Sequence, residues 1–439
     1  MTAAVQEQAR VEFAPGGRFG LDIPAHREAL GAAGPDFLTR AFHAFGVLGP
    51  DNRVIEVTRL EPFAGGNSGS KAVLSATYAH PAPDLPTELF VKFSRDFADA
   101  FRDRRRFELE AEVRLAILSR HPSFPVAVPT ALFADFDSRT GVGVLITERI
   151  AFGRGGVEPL LRKCMDHELA DPLAYYRALV AALARLVAGH KSGRLSPEVE
   201  TLFPFDAVAA AADLPVPWSE AELRACVGRY ADFVRACPNL IPAPLADPAF
   251  IAKLEADAVR LLRHEADIRR FLHADPDLIA LCHWNTNIDN AWFWRDGAGE
   301  LQAGLLDWGM VRQMNVGYGL WGGLCGANPD IWEAHLDDLL VLFIDTLHAH
   351  GGPRLGLERL KLHLDLSAAM LGLALMMDAP TLVLTRLPEA VEAKGPLDPV
   401  MFRNEVARSF LHVFKAFLSL WRRHDFGAGL DRMLALEAT

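Results

Sequence analysis

One stretch of the sequence, residues 283–309, constrains the chain more than any other. A polar loop from His283 to Asn290 leads into an apolar run at residues 291–294. A glycine-containing turn and a second apolar run, residues 301–306, follow it, and that run ends at Asp307. The pattern predicts a hairpin that brings the amide oxygen of Asn290 close to the carboxylate of Asp307. Two such oxygens suit Mg²⁺, which keeps several waters and binds substrate phosphates, so the stretch predicts phosphoryl transfer.

The same stretch resembles the aminoglycoside phosphotransferase and choline kinase-like superfamily. The pattern of that superfamily is H-G-D-x-x-x-x-N, a hairpin, and then D-[WFY]-[EG]. His283, Asn290 and Asp307 match its histidine, its metal-binding asparagine and its metal-binding aspartate. Two positions differ: Trp284 replaces the glycine, and Asn285 replaces the aspartate that receives the proton of the substrate hydroxyl.

The resemblance implies a fold, a cofactor and a class of substrate. The fold would be α+β and two-lobed, as in protein kinases: a small N-lobe with an antiparallel sheet and one helix, then a large and mostly helical C-lobe. Residues 1–50 would form a helical leader, residues 51–152 the nucleotide-binding N-lobe, and residues 153–439 the C-lobe with the metal-binding hairpin and the substrate pocket. ATP, or another nucleoside triphosphate, and Mg²⁺ would serve as cofactors, and a small molecule would accept the phosphoryl group.

The distribution of apolar residues agrees with a small mixed lobe. A helix is predicted over residues 101–119, where apolar residues recur at helical spacing and prolines follow. Strands are predicted on both sides of this helix, over residues 54–63, 72–78, 89–93, 131–136 and 142–150.

Helical periodicity dominates after residue 156. Ser219 with Glu222 has the form of a capping box, and Asp247 followed by Pro248 suits a helix start. Helices are predicted over residues 175–190, 219–236, 248–272, 331–350, 357–377 and 402–423.

A glycine-rich segment lies between the first two predicted strands. Glycines allow backbone N–H groups to approach phosphate oxygens closely. The spacing is not that of a Walker A loop, and an ordinary hairpin turn is the alternative. The resemblance implies that this segment covers the nucleotide phosphates through Gly65, Gly66, Asn67, Ser68, Gly69 and Ser70.

Lys92 lies within an apolar predicted strand, where an isolated ammonium group would be costly to bury. The resemblance supplies two partners for it, the nucleotide phosphates and a glutamate on the following helix. Glu110 is the first choice because it shares a helix face with Val113 and Ile117. Glu112 is the second choice. An outward-facing lysine on an edge strand is the alternative interpretation of Lys92.

Two further positions acquire roles from the resemblance. Glu148 and Ile150 end the fifth predicted strand, where backbone groups would bind the adenine edge. His283 has the chemistry of a catalytic base, but its counterpart in the superfamily holds the loop through hydrogen bonds.

Asn285 leaves two functions open. An amide cannot accept a proton at neutral pH, although its oxygen can still orient a hydroxyl group. Phosphoryl transfer relies mainly on positioning and metal charge, so an enzyme remains feasible without the base. A nearly inactive, nucleotide-binding pseudokinase with a regulatory or scaffolding role is the alternative. Asp289 could supply a carboxylate, but its neighbour Asn290 must face the metal, which directs Asp289 elsewhere.

Composition sets limits on partners and compartment. A net charge of −11 argues against nucleic acid, which requires a basic face. Five scattered cysteines without metal spacing and a polar N-terminus predict a cytoplasmic protein with reduced thiols. The apolar passage at residues 364–387 contains charges and a proline, so it predicts a buried helix pair and no membrane partner.

Overall fold

The computed structural model describes residues 11–64, 69–94 and 102–438, with the side chains of residues 102–107 left aside. The chain divides into two compact units. The first contains the chain up to Ala151 together with Ser196–Leu202 and Leu305–Val311, and the second contains the remainder. The described residues of the predicted leader belong to the first unit.

The strands are short, and most lie in the first unit. Their bounds are β1 Phe13–Pro15, β2 Asp22–Pro24, β3 Val54–Pro62, β4 Ser70–Tyr78, β5 Glu88–Phe93, β6 Ala131–Phe136, β7 Gly143–Glu148, β8 Ile279–Cys282, β9 Ala291–Arg295, β10 Leu301–Leu305 and β11 Arg312–Asn315.

The helices dominate the second unit. Their bounds are α1 Arg27–Ala44, α2 Arg102–Leu118, α3 Pro172–Lys191, α4 Val199–Leu202, α5 Ala207–Ala212, α6 Glu220–Ala236, α7 Ala243–Ala246, α8 Pro248–Arg263, α9 Glu265–Ala274, α10 Val316–Leu324, α11 Pro329–Ala349, α12 Leu357–Leu375, α13 Ala379–Arg386, α14 Glu405–His424 and α15 Phe426–Glu437.

The first unit is built on a five-stranded antiparallel sheet in the order β3-β4-β5-β7-β6. Helix α2 connects β5 to β6 and packs against β6 and β7. The apolar side chains of the sheet, α1 and α2 form one core. The predicted α+β class is confirmed: a mixed unit with an antiparallel sheet is followed by a mostly helical one.

The residues before β3 are fastened to this sheet. Helix α1 packs on β3 and contributes Phe37, Leu38 and Phe42 to the core, and it bends where Gly34 and Pro35 interrupt it. The backbone N–H groups of residues 18 and 19 donate to the buried carboxylate of Asp135 on β6, at 3.1 and 3.2 Å. These contacts explain why the leader joins the first unit.

The helix starts read from sequence are present in the second unit. Ser219 and Glu222 form a capping box, and Asp247 caps α8 with Pro248 at its first turn. The helix predicted over residues 248–272 is instead two helices, α8 and α9, that meet at His264. The predicted hairpin is present as β9 paired with β10, while β8 pairs antiparallel with β11.

Within the described part of the chain, no single helix has both the length and the apolar character needed to cross a membrane. Helices α12 and α13, bent by 45° relative to each other, reach that length and composition only as a pair.

Candidate active site

Lys92 is the centre of a buried ion cluster in the first unit. It lies on β5, flanked in register by Lys71 of β4 and Leu145 of β7, so it is on an inner strand and not on an edge. Its Nζ atom donates to both carboxylate oxygens of Glu112, at 2.9 and 2.8 Å, and to Oδ1 of Asp307, at 3.0 Å. Three residues that are far apart in sequence therefore meet at one amine.

The helix glutamate that contacts Lys92 is Glu112, and the first choice, Glu110, was wrong. Leu109, Glu112 and Ala116 lie at positions i, i+3 and i+7 and are all buried, so Glu112 lies on the inward stripe of α2. Glu110 is about 130° away from that stripe's centre by helical geometry, and it pairs with Arg114 one turn later, at 2.5 Å. The prediction weighed Val113 and Ile117 too heavily, because Ile117 is only half-buried.

Asp307 reaches this cluster through an unusual backbone conformation. Its φ is +58°, in the left-handed region that residues other than glycine rarely adopt. The indole Nε1 of Trp308 donates to the carbonyl oxygen of Leu305, at 2.9 Å, and closes the turn around Asp307. A Cβ atom at Gly309 would lie 3.1 Å from Cβ of Glu108, so glycine lets the turn approach α2 closely. Strained residues held this way are typical of functional sites.

The charges in the cluster stabilise the ammonium form of Lys92. Burial alone would lower the pKa of Lys92, but Glu112 and Asp307 outweigh it, and the pKa is raised above its ordinary value. Burial also raises the pKa of Glu112, with Asp307 adding to the effect and Lys92 opposing it. The site therefore holds a permanent cation within reach of an exposed edge, since the side chain of Asp307 is 44% exposed.

The glycine-rich segment is described in part. Gly65, Gly66, Asn67 and Ser68 lie outside the described residues. Gly69 has a φ of +62°, and a Cβ atom there would lie 2.0 Å from the carbonyl oxygen of Phe93, so the position requires glycine. Ser70 begins β4 and is paired with Phe93, one residue after Lys92.

Glu148 is the last residue of β7 and Ile150 follows two residues later, near the boundary of the first unit. The Glu148 carboxylate accepts hydrogen bonds from the backbone N–H and the hydroxyl of Thr130, both at 2.8 Å. Its side chain is thus committed to the neighbouring segment. Nucleotide binding by the backbone of Glu148 and Ile150 stays a prediction.

In the second unit, the loop after β8 is held by its own side chains. Buried His283 accepts a hydrogen bond at Nδ1 from the backbone N–H of Asn285, at 3.1 Å. The Asn290 amide nitrogen donates to the carbonyl oxygen of Asn285, at 2.9 Å. The Asn285 side-chain oxygen accepts a hydrogen bond from the amide of Asn287. His283 therefore fixes the loop, and Asn285 is engaged within it.

Asn290 and Asp307 have the donor chemistry that Mg²⁺ requires. The Asn290 nitrogen is used by Asn285, which leaves its oxygen as the atom for a cation. Asp307 offers a carboxylate, one oxygen of which contacts Lys92. Both are hard oxygen donors and fit the ion. Within the described ranges, no group of three or more His, Cys, Asp or Glu residues could hold a metal ion by itself.

The sequence analysis missed a glycine-rich helix that supports the loop. A Cβ atom at Gly322 of α10 would lie 1.4 Å from the carbonyl oxygen of Trp284, and one at Gly323 would lie 2.5 Å from Oγ1 of Thr286. The helix and the loop thus approach at backbone distance. The signal was present in the sequence as glycines at positions 317, 319, 322 and 323, a density unusual for a helix interior.

Comparison with known proteins gives structural likenesses only. No family model and no curated protein matches the chain. It is similar to a choline/ethanolamine kinase family protein from Mesorhizobium loti, with 16% identity, 85% of this chain and 92% of that chain covered, and a TM-score of 0.40. A choline kinase from Cryptosporidium parvum Iowa II has 11% identity, 87% and 92% coverage, and a TM-score of 0.40. A microcompartment-associated aminopropanol kinase has 13% identity, 88% and 98% coverage, and a TM-score of 0.42. At these values, structural likeness does not establish a shared function.

Proposed function

We propose that this protein is a nucleotide- and Mg²⁺-dependent phosphotransferase that moves the γ-phosphoryl group to a hydroxyl or another oxygen of a small molecule. One observation carries the proposal: the Lys92 amine lies between Glu112 and Asp307 in a buried cluster on an inner strand. Such a lysine is held charged and oriented, which is what binding a polyphosphate requires.

Each residue of the cluster has a role in this proposal. Lys92 would donate to the α- and β-phosphates by releasing Asp307, and Glu112 would keep the amine oriented. Gly69 keeps the backbone close to the carbonyl of Phe93, beside Lys92, where a side chain would not fit. ATP is the expected donor, and GTP is the alternative that a direct comparison separates.

Asn290 and Asp307 would hold the Mg²⁺ ion. When bound, the ion neutralises charge on the phosphates during transfer. Asp307 also contacts Lys92. His283 maintains the loop on which Asn285 and Asn290 lie.

Asn285 orients the acceptor hydroxyl through its amide. It cannot remove the proton, and general base catalysis contributes ~10²- to 10⁴-fold in rate. The enzyme would therefore turn over slowly on an ordinary alcohol, and faster on an oxygen that is already acidic, such as a phenol or a carboxylate.

A nucleotide-binding pseudokinase is the second candidate. The Asn285 oxygen accepts a hydrogen bond from Asn287, so it is already engaged within its own loop. This observation favours a loop that is stable without an acceptor. A pseudokinase would bind nucleotide with little turnover.

Thermal shift and turnover measurements separate the candidates. The purified chain is titrated with ATP and with GTP, with and without Mg²⁺, and nucleoside diphosphate release is followed with a library of hydroxylated acceptors. Mg²⁺-dependent stabilisation with acceptor-dependent release supports the enzyme. Stabilisation without release supports the pseudokinase. Absence of any nucleotide-dependent shift contradicts both.

Replacing Asn285 by aspartate tests the missing base. On an accepted alcohol, the Asn285→Asp variant should raise kcat by ~10²-fold or more, because a carboxylate restores proton acceptance. Asn404→Asp is the matched control, because Asn404 caps α14 and aspartate caps equally well. An unchanged kcat in Asn285→Asp on every accepted substrate would show that the carboxylate is not the missing part.

A further inference from the structure

One face of α14 in the second unit carries three basic residues. Arg408, His412 and Lys415 lie at positions i, i+4 and i+7, so they project from the same side of the helix. Two of them have hydrogen-bond partners. The Arg408 guanidinium donates to the carbonyl oxygen of Lys163, at 3.1 Å, and His412 contacts the carbonyl oxygen of Ala327, at 3.1 Å. The helix is thus fixed against segments near residues 163 and 327.

Lys415 differs from its two neighbours. Its residue is 8% exposed, and among the described residues it forms no hydrogen bond or ion pair. Two other buried cations, Arg269 and Lys92, are compensated: Arg269 binds Glu265 and two carbonyl oxygens, and Lys92 binds two carboxylates. A buried ammonium without a partner is costly, so its retention calls for an anion that is absent from the chain itself.

A second group, the carboxylate of Asp166, has one oxygen without a partner. The carboxylate of Asp166 is fully buried, and its Oδ2 atom accepts hydrogen bonds from the Tyr176 hydroxyl, at 3.1 Å, and the backbone N–H of Asn328, at 2.7 Å. Its Oδ1 atom is buried and has no hydrogen-bond partner. His412 experiences both Lys415 and Asp166: burial lowers the pKa of His412, Lys415 adds to this effect, and Asp166 opposes it.

This cluster adjoins the loop that carries Asn285. The Asn287 side-chain oxygen accepts a hydrogen bond from the backbone N–H of Gly326, at 3.1 Å, and the Asn287 amide donates to Asn285. The next residue, Ala327, binds His412. The segment from 325 to 328 therefore lies between the loop and α14, within the same unit.

We propose that Lys415 is the anion-binding subsite for the acceptor, so that the acceptor is a hydroxylated molecule bearing a carboxylate or a phosphate. This rests on the proposed phosphotransferase function. The amine would bind the anionic group of the acceptor, and the free Oδ1 atom of Asp166 would accept a hydrogen bond from a hydroxyl or from a water. An acceptor that bears a cation would be repelled by Lys415 and Arg408, because this helix face offers no accessible negative charge to compensate it.

Burial favours the neutral amine of Lys415. Burial lowers the pKa of Lys415 to about 8. Cys164 and His412 lie near it; Asp166 acts in turn on His412, and Arg408 donates to the Cys164 carbonyl oxygen. A bound anion would stabilise the ammonium form, because an opposite charge raises the pKa of an amine.

Competitive labelling of the full chain tests the subsite directly. The protein is treated with a limiting amine-acylating reagent, and labelling of Lys415 and of Lys253 is followed by mass spectrometry. Lys253 is half-exposed and bound to Asp257 and Asp425, so it serves as the internal control. The probes are glycerate, inorganic phosphate, glycerol and 3-amino-1,2-propanediol, of which the first two are anions. Anions should slow Lys415 labelling ~10-fold or more, as a charge-assisted contact implies, and leave Lys253 unchanged.

Two variants complete the test. Lys415→Met should abolish anion-dependent thermal stabilisation, and Lys415→Arg should keep it within ~3-fold in affinity, since both cations bind oxyanions. Glycerate and phosphate distinguish a carboxylate from a phosphate as the preferred group. The proposal is overturned if no anion protects Lys415, or if Lys415→Met binds anions as well as the parent protein.

The outcome is separable from that of the proposed function. If neutral or cationic acceptors are turned over and no anion protects Lys415, the subsite proposal is wrong and the phosphotransferase proposal stands. If anions protect Lys415 but no nucleotide binds, Lys415 is an anion site and the phosphotransferase proposal is wrong. Absence of both effects overturns both proposals.

Discussion

Two buried lysines, one in each unit, show opposite electrostatic solutions. Lys92 in the first unit binds Glu112 and Asp307, and its pKa is raised. Lys415 in the second unit has no partner among the described residues, and burial lowers its pKa to about 8. The charge of the Lys92 amine is compensated by carboxylates of the protein, whereas the Lys415 amine is available to an anion from outside the chain. Burial alone therefore does not show whether a lysine has a structural role or binds a ligand. The partners of its amine distinguish the two roles.

Removing the compensated amine should have the largest effect. Lys92→Met leaves Glu112 buried without its cation, which should lower the free energy of unfolding by about 3–5 kcal/mol. Nucleotide affinity should fall by ~30- to 5,000-fold, the equivalent of the 2–5 kcal/mol that a buried charge contact contributes. Urea unfolding and a nucleotide titration measure the two effects.

A double variant separates these two losses. In Lys92→Met with Glu112→Leu, no buried charge is left over from the pair, so much of the lost stability should return. Nucleotide binding should not return, because the amine is still missing. Recovery of both in the double variant would show that Lys92 has a structural role only, and the comparison between the lysines would then fail.

Removing the uncompensated amine should have the opposite sign. The folded pKa of Lys415 is about 8 against an ordinary value of 10.5, so keeping it protonated at pH 7 costs the fold about 3 kcal/mol. Lys415→Met should therefore raise the unfolding free energy at pH 7 by about that amount in the absence of anions. The Lys415 amine loses its proton at lower pH in the folded chain than in the unfolded chain. The gain in unfolding free energy of Lys415→Met is therefore complete below pH 8 and disappears as the pH rises to 10.5.

Urea unfolding at pH 7 and pH 10 measures this difference. Lys361→Met is the control, because the Lys361 amine is paired with Asp337 at 3.0 Å on the surface of α12. That variant should lose less than about 1 kcal/mol and gain nothing. A loss of stability in Lys415→Met at pH 7 would mean that the amine has a favourable partner in the folded chain, and the contrast with Lys92 would not hold.

The difference between the lysines also explains what the sequence could and could not predict. Lys92 was found because it interrupts a short apolar strand, and strand alternation identified β3 to β7 within two residues at most ends. Lys415 was missed because a lysine in an amphipathic helix is ordinarily on its solvated face. The signal was its spacing, since Leu411, Lys415 and Leu418 lie on one buried stripe.

Contacts between distant segments were the part that local patterns could not give. The left-handed turn at Asp307 and the approach of Gly322 to the carbonyl of Trp284 depend on packing partners far away in sequence. The match to the H-G-D-x-x-x-x-N pattern predicted which residues belong to the candidate site. It did not predict which hydrogen bonds these residues form. Asn285 illustrates this: its identity raised the question of activity, and its bond to Asn287 was not foreseen.

The smallest expected effect sharpens the choice between the two glutamates of α2. Glu112→Gln removes a charge from the Lys92 cluster and should weaken nucleotide binding by the 1.5–3 kcal/mol of a charged hydrogen bond, about 10- to 150-fold. Glu110→Gln breaks only an i,i+4 pair with Arg114, whose side chain is 41% exposed, and should change stability by less than about 0.5 kcal/mol with no effect on nucleotide affinity. Isothermal titration of both variants with the same Mg²⁺-nucleotide compares them directly. Equal losses in affinity would show that the cluster does not bind the phosphates, because then the position of a carboxylate relative to Lys92 would not matter.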